Sequence, residues 1–166
     1  VYTFLFNGAN QYYGYTLIVR EKIDEDKEIA QYIEEYGEEN VIVVDKGVYN
    51  YDYVNFVSQN NQVIYLREGA YVIANHLFDI NSAEDENKYF EGNAWYDNSI
   101  GLTRYPFLNF YNCNNITLTG RGVIDLTRLD RRERRGVVFT SCNNVTVSGI
   151  KIINSPEWSF IAYSCK

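Results

Sequence analysis

Asp125 and Asp130 stand five residues apart, directly ahead of the run Arg131-Arg132-Glu133-Arg134-Arg135. Carboxylates beside guanidinium groups admit two readings. In one they are an acid–base pair with a clamp for an anionic ligand. In the other, Asp125 ends a strand and Asp130 pairs with an Arg on a long turn; this second reading is the one adopted. Arg131 and Arg132 are then the best candidate contacts for a carboxylate or sulfate group on a ligand. Trp95 and Tyr96 are adjacent aromatics that either stack on a sugar face or pin down their own segment. The only histidine is His76, and no Asp-Asp pair occurs. Cys113, Cys142 and Cys165 are odd in number and include no C-x-x-C, which argues against a zinc site and against a disulfide framework. No metal or cofactor is implied.

The elements that must position these residues belong to a 166-residue chain of one-domain size, with 15 basic and 22 acidic residues and a formal charge of −7. An acidic chain does not suit general nucleic-acid binding, which depends on neutralising phosphates. No apolar run is long enough to cross a membrane as a helix. At 46% apolar and 22% charged residues, the composition is that of a folded protein. The sixteen Tyr and nine Phe favour strands and contact surfaces over helix bundles. Ten acids fall between Glu21 and Asp45, and six arginines between Arg121 and Arg135. Both runs suit solvated surface, and the Arg run also suits an anion contact.

The strongest signal is an internal repeat. Phe107-Leu108-Asn109-Phe110-Tyr111-Asn112-Cys113-Asn114-Asn115-Ile116-Thr117-Leu118-Thr119-Gly120 returns 29 residues later as Gly136-Val137-Val138-Phe139-Thr140-Ser141-Cys142-Asn143-Asn144-Val145-Thr146-Val147-Ser148-Gly149. Ser159-Phe160-Ile161-Ala162-Tyr163-Ser164-Cys165 follows after 23 more. An earlier echo at 22 residues joins Val43-Val44-Asp45-Lys46-Gly47-Val48-Tyr49 to Tyr65-Leu66-Arg67-Glu68-Gly69-Ala70-Tyr71. Periods of this size mean stacked units. Within a unit, Ile116, Leu118 and Val145, Val147 alternate with Thr117, Thr119 and Thr146, Ser148, which is the period of a half-buried strand. Short strands recurring at one phase must pair in parallel. The expectation is an all-β, right-handed, single-stranded parallel β-helix, with like side chains stacked about 4.8 Å apart. The three cysteines would form an inward column. Asn114 and Asn143 would form a ladder at a turn, where Asn tolerates left-handed geometry.

Two segments depart from the repeat. Asp26 to Glu38 carries Ile29, Ile33 and Tyr36 on one stripe and reads as a short amphipathic helix capping the first coil. Residues 1–40 are thus an N-terminal unit of strands and capping helix, and 41–166 are the first coils. Residues 77–105 form an inserted loop, which holds Trp95 and Tyr96. Asn115-Ile116-Thr117 and Asn144-Val145-Thr146 match glycosylation sequons, but they sit on ladder strands and are read as chance matches.

These residues resemble a known family. Asn115-Ile116-Thr117-Leu118-Thr119-Gly120-Arg121-Gly122-Val123-Ile124-Asp125 is similar to the "N-V-T-I-S-G-x-G-x-I-D" coil of polygalacturonase-like glycoside hydrolases, within the pectin-lyase-like superfamily. Asn144-Val145-Thr146-Val147-Ser148-Gly149 through Asn154-Ser155-Pro156-Glu157-Trp158 resembles their next coil, "N-V-T-V-x-G-I-x-I-x-N-S-P-x-W". Tyr65-Leu66-Arg67-Glu68-Gly69-Ala70-Tyr71-Val72 looks like a segment shared with the related dextranases. The resemblance implies hydrolysis of glycosidic bonds by flanking carboxylates. The family's N-T-D, D-D, G-H-G and R-I-K elements all follow the N-S-P-x-W coil and have no counterpart here, so no catalytic residue is carried over.

The expected function is therefore the N-terminal part of a polysaccharide hydrolase, with its catalytic carboxylates downstream. The expected partner is a polysaccharide, of pectin type or a related glycan. The alternative is a non-catalytic β-helix that binds glycans, such as an adhesin or surface module. A lyase would need a cluster of acids on a ladder, and none is seen. Since position 1 is Val, the chain is expected to be a processed or partial product. Its last strand is expected to be covered by a continuation beyond Lys166 or by another chain. The resemblance implies a secreted or extracellular setting, the periplasm included.

Overall fold

The computed structural model describes residues 2–4, 15–17, 23–52, 54–75, 106–129, 135–156 and 158–166. An antiparallel pair, β1 (Tyr2–Phe4) with β2 (Tyr15–Leu17), comes first. Helix α1 (Glu25–Tyr36) and a 3-10 turn (Glu38–Asn40) follow. The chain then makes four rounds of three strands. The first is β3 (Val41–Val44), β4 (Gly47–Tyr51) and β5 (Val54–Val57). The second is β6 (Asn60–Leu66), β7 (Ala70–Ala74) and β8 (Leu108–Tyr111). The third is β9 (Asn114–Gly120), β10 (Val123–Asp125) and β11 (Val137–Thr140), and the fourth is β12 (Asn143–Val147), β13 (Lys151–Ile153) and β14 (Phe160–Tyr163). Each round gives one strand to each of three four-stranded sheets, ordered β3-β6-β9-β12, β4-β7-β10-β13 and β5-β8-β11-β14. Every pairing within these three sheets is parallel. The fold is thus mostly β, with three parallel sheets and, among the described residues, one short α-helix.

Register explains why the repeat specifies this arrangement. Ile64, Leu118 and Val147 are direct neighbours across the first sheet, and Val72, Ile124 and Ile152 across the second. In the third sheet Phe56, Phe110 and Phe139 stack with ring centroids 4.7 and 4.4 Å apart and ring planes nearly parallel. All face the interior, where parallel strands bring like beside like and apolar surface leaves water. Cys113, Cys142 and Cys165 do form one column. Each thiol donates to a carbonyl of the preceding round, Phe56, Phe110 and Phe139 in turn. Val145 and Val147 face inward as expected; they are only half-buried, lying in the last round.

The turns carry two asparagine ladders. Asn143 donates to Asn114 at 2.7 Å and Asn114 to Asn60 at 2.9 Å; beside them Asn144 donates to Asn115 and Asn115 to Asn61, both at 2.8 Å. Left-handed backbone falls on the second ladder: Asn61, Asn115 and Asn144 have φ of 57, 57 and 50°. The expectation had placed that geometry at Asn114 and Asn143. At Gly120 the backbone has φ 110°, and a Cβ would lie 2.1 Å from the Leu66 carbonyl oxygen. That oxygen accepts from the N–H groups of Arg121 and Gly122, which closes the turn between β9 and β10.

Helix α1 forms for local reasons. Asp24 accepts from the Lys27 N–H, Glu25, Asp26 and Glu28 fill the first turn, and Gly37 at φ 88° ends the helix. Its place differs from the expected cap over the first coil. It lies against the outer face of β3 and β6, where Val63 and Tyr65 are fully buried. Ile42, in register with Ile64 on the inner face, remains 42% exposed. The outward residues change with the helix footprint, since β12 presents exposed Thr146, with exposed Ser148 just past its end, where β6 presents Val63 and Tyr65. No described helix is long and apolar enough to cross a membrane.

Candidate functional site

The connections from the second sheet to the third converge on one edge of the stack. Residues 75–107 link β7 to β8, residues 126–136 link β10 to β11, and residues 154–159 link β13 to β14. Their re-entry points lie rung upon rung. Phe107 N–H donates to the Arg135 carbonyl at 2.9 Å, and Gly136 N–H donates to the Trp158 carbonyl at 3.2 Å. Arg131, Arg132, Trp95 and Tyr96, the residues expected to contact substrate, lie outside the described residues, as do Asp130, His76 and the expected loop at 77–105. What the topology establishes is that the segments bearing them are consecutive crossings between the same two sheets.

At this edge Trp158 is 60% exposed, and the Arg135 guanidinium carbon lies 5.2 Å from its ring centroid, a cation–π contact. The outer face of the third sheet continues the aromatic surface. Tyr111, Thr140 and Tyr163 are in register on β8, β11 and β14. They point outward because Phe110, Phe139 and Ala162 beside them point in. Tyr111 and Tyr163 are both about two-fifths exposed and, one strand apart on either side of Thr140, lie about 9.6 Å from each other. Asn109 and Val138, which face outward two residues earlier on β8 and β11, are buried. The open part of the face is thus two tyrosines around a threonine, with an arginine-backed tryptophan two residues ahead of β14. Flat rings with polar rims suit the apolar faces and hydroxyl edges of sugar rings.

The second sheet ends in a polar cluster at Asp125, the last residue of β10. Thr127 donates to Oδ1 from its N–H at 2.9 Å and its hydroxyl at 2.5 Å, and Asn154 Nδ2 from 3.0 Å. Tyr71 Oη donates to Oδ2 at 2.6 Å. Burial pushes this carboxyl up, but the four hydrogen bonds outweigh burial and hold its pKa down at about 2. A carboxylate so held stays ionised and has its lone pairs occupied, which suits a turn anchor and not a proton donor. Tyr71 is raised in turn, chiefly by its bond to Asp125. Beside it Arg128 donates to Asn50 and Asn75, both at 2.9 Å, tying together three rounds.

The Cys142 thiol is equally unsuited to chemistry. Cys142 is pushed up to about 11, mainly by burial, so it remains a neutral thiol. Among the described residues no group of His, Cys, Asp and Glu could hold a metal ion. Asn115 and Asn144, in the sequon matches, have their amides engaged in the ladder.

The sequence expectations did not include Tyr111, Tyr163 or Arg135 among the candidate contact residues and used Trp158 only as part of a motif. The signal was present: Tyr111, Thr140 and Tyr163 each stand two residues ahead of a repeat cysteine, opposite in phase to the inward phenylalanines. Searches with family models, against curated proteins and against solved structures found no match.

Proposed function

We propose that this chain is the first part of a right-handed parallel β-helix belonging to a polysaccharide-degrading glycoside hydrolase of polygalacturonase-like type. The glycan is held along the outer face of the third sheet. The observation that carries the reading is the open row Tyr111–Thr140–Tyr163 with Trp158 and Arg135 beside it. The three sheets visited in fixed order support the β-helix, and right-handed crossovers are the rule between parallel strands. In this reading the tyrosines and Trp158 stack on sugar rings, and Arg131 and Arg132 take carboxylate or sulfate groups of an anionic chain. The carboxylates that cleave the bond belong to later coils, following the N-S-P-x-W element. The setting is extracellular, where such polymers occur.

The competing reading, a glycan-binding or adhesin module without catalysis, draws on Asp125, whose engagement as a turn anchor leaves it no catalytic part. Affinity electrophoresis through gels containing polygalacturonate or a neutral glucan tests the contact face. Retardation in polygalacturonate that weakens about tenfold or more in Tyr111→Ala/Tyr163→Ala is expected, as single stacked rings contribute on the order of 1 kcal/mol. Retardation unchanged in that variant would remove the tyrosine row. Retardation by the neutral glucan alone would remove the anionic part of the proposal.

A further inference from the structure

Helix α1 is joined to the stack by charge far more than by apolar burial. Of its twelve residues only Ile29 is buried. Its first turn instead makes a dense set of polar contacts. Tyr65 Oη donates to Glu28 Oε2 at 2.5 Å, and Arg121 reaches Glu25 Oε1 at 3.1 Å and Glu28 Oε2 at 3.2 Å. Glu68 N–H donates to Glu25 Oε1 at 2.9 Å, and Arg67 bridges Asp26 at 2.7 Å and Asp45 at 3.0 Å. Farther along, Tyr32 packs its ring 6.3 Å from that of Tyr65. A helix of twelve residues is marginal by itself, so docking decides whether it exists at all.

The stack beneath does not share this dependence. The residues under the helix, Val63 and Tyr65, face outward, whereas Phe56, Ile64, Leu118, Ile124 and Phe139 form the inner columns and never meet it. Gly37, at φ 88°, separates α1 from the 3-10 turn that leads into β3. We propose that α1 is a separable strap, clamped by Glu25 and Glu28 onto Arg121 and Tyr65, which opens from the outer face of β3 and β6 while the three sheets remain folded. Opening uncovers Val63 and Tyr65, a small apolar and phenolic surface on a different sheet from the glycan-contact row. Local opening of this kind draws on segments with few buried apolar contacts. The proposal is independent of the glycan reading.

The test is residue-resolved hydrogen exchange on the whole chain and on two double variants. Glu25→Gln/Glu28→Gln removes the clamp. Glu34→Gln/Glu35→Gln makes the same charge change on exposed positions of the same helix. In the clamp variant, exchange of the α1 amides is expected to rise about tenfold or more, as charge-assisted bonds are lost, with amides of β9 and β11 unchanged. The control variant leaves α1 at its original rate. Unchanged α1 exchange in the clamp variant overturns the proposal, as does an equal rise in the control. Loss of protection in β9 and β11 together with α1, or failure of the clamp variant to fold, overturns it too, since the helix would then be integral to the stack.

Discussion

Replacing Asp125 with Asn keeps the side chain's size and removes its charge. The carboxylate is 7% exposed and receives bonds from the Thr127 N–H and hydroxyl, Tyr71 Oη and Asn154 Nδ2. Burial opposes ionisation, and those bonds overcome it, taking the pKa from 3.8 to about 2. At 1.36 kcal/mol for each pKa unit, a shift of somewhat under two units corresponds to on the order of 2 kcal/mol. The folded value is the lower one. The contribution is therefore complete above the unfolded value and disappears as pH falls through about 2. In urea unfolding at pH 7, Asp125→Asn should be less stable than the parent by about 1–2 kcal/mol, because an amide can replace only some of the accepted bonds. The gap should narrow from about pH 4 downward and close near pH 2. Equal stability at pH 7, or a gap that stays constant through pH 2, would refute the assignment of Asp125 as an ionised anchor.

Other expectations follow from the columns. Phe110→Ala empties the middle of the phenylalanine stack and should cost about 3–5 kcal/mol in chemical denaturation; a loss under 1 kcal/mol would mean the column is not packed there. Gly120→Ala places a methyl against the Leu66 carbonyl at a left-handed residue, and should lower stability by about 2 kcal/mol or more, read from the urea midpoint. Val147→Asp puts a charge on the inner face beside Leu118 and should destabilise by about 3 kcal/mol or more, whereas Thr146→Asp on the outer face should stay within about 0.5 kcal/mol. Equal effects at 146 and 147 would mean that the strand's faces have been interchanged.

The periodicity of the sequence carries the stacking because a parallel sheet repeats its side chains in register. Phe110 and Phe139, Cys113 and Cys142, and Asn114 and Asn143 could be paired by alignment alone, and each pair is adjacent in space. The left-handed turn was displaced by one residue because two consecutive asparagines stand at the turn, and alignment does not say which of them takes the strained φ. The position of α1 was not legible. Arg121 and Glu25 are 96 residues apart in sequence, and a charge pair at that distance has no periodic signature. For the same reason the network uniting Tyr71, Asp125, Thr127 and Asn154 could not be read, since its members come from three different rounds. The row at Tyr111 and Tyr163 recurs with the same repeat, on the phase opposite to the inward phenylalanines.

In the proposed function, glycan lies on the outer face of the third sheet. The most direct test is a titration of the 166-residue chain with polygalacturonate oligosaccharides, followed by NMR of the Trp158 indole and the tyrosine ring signals. Trp158, Tyr111 and Tyr163 should shift together and saturably, while Tyr32 and Tyr65 beneath the helix stay in place. Shifts confined to Tyr32 and Tyr65, or none at millimolar sugar, would contradict this placement.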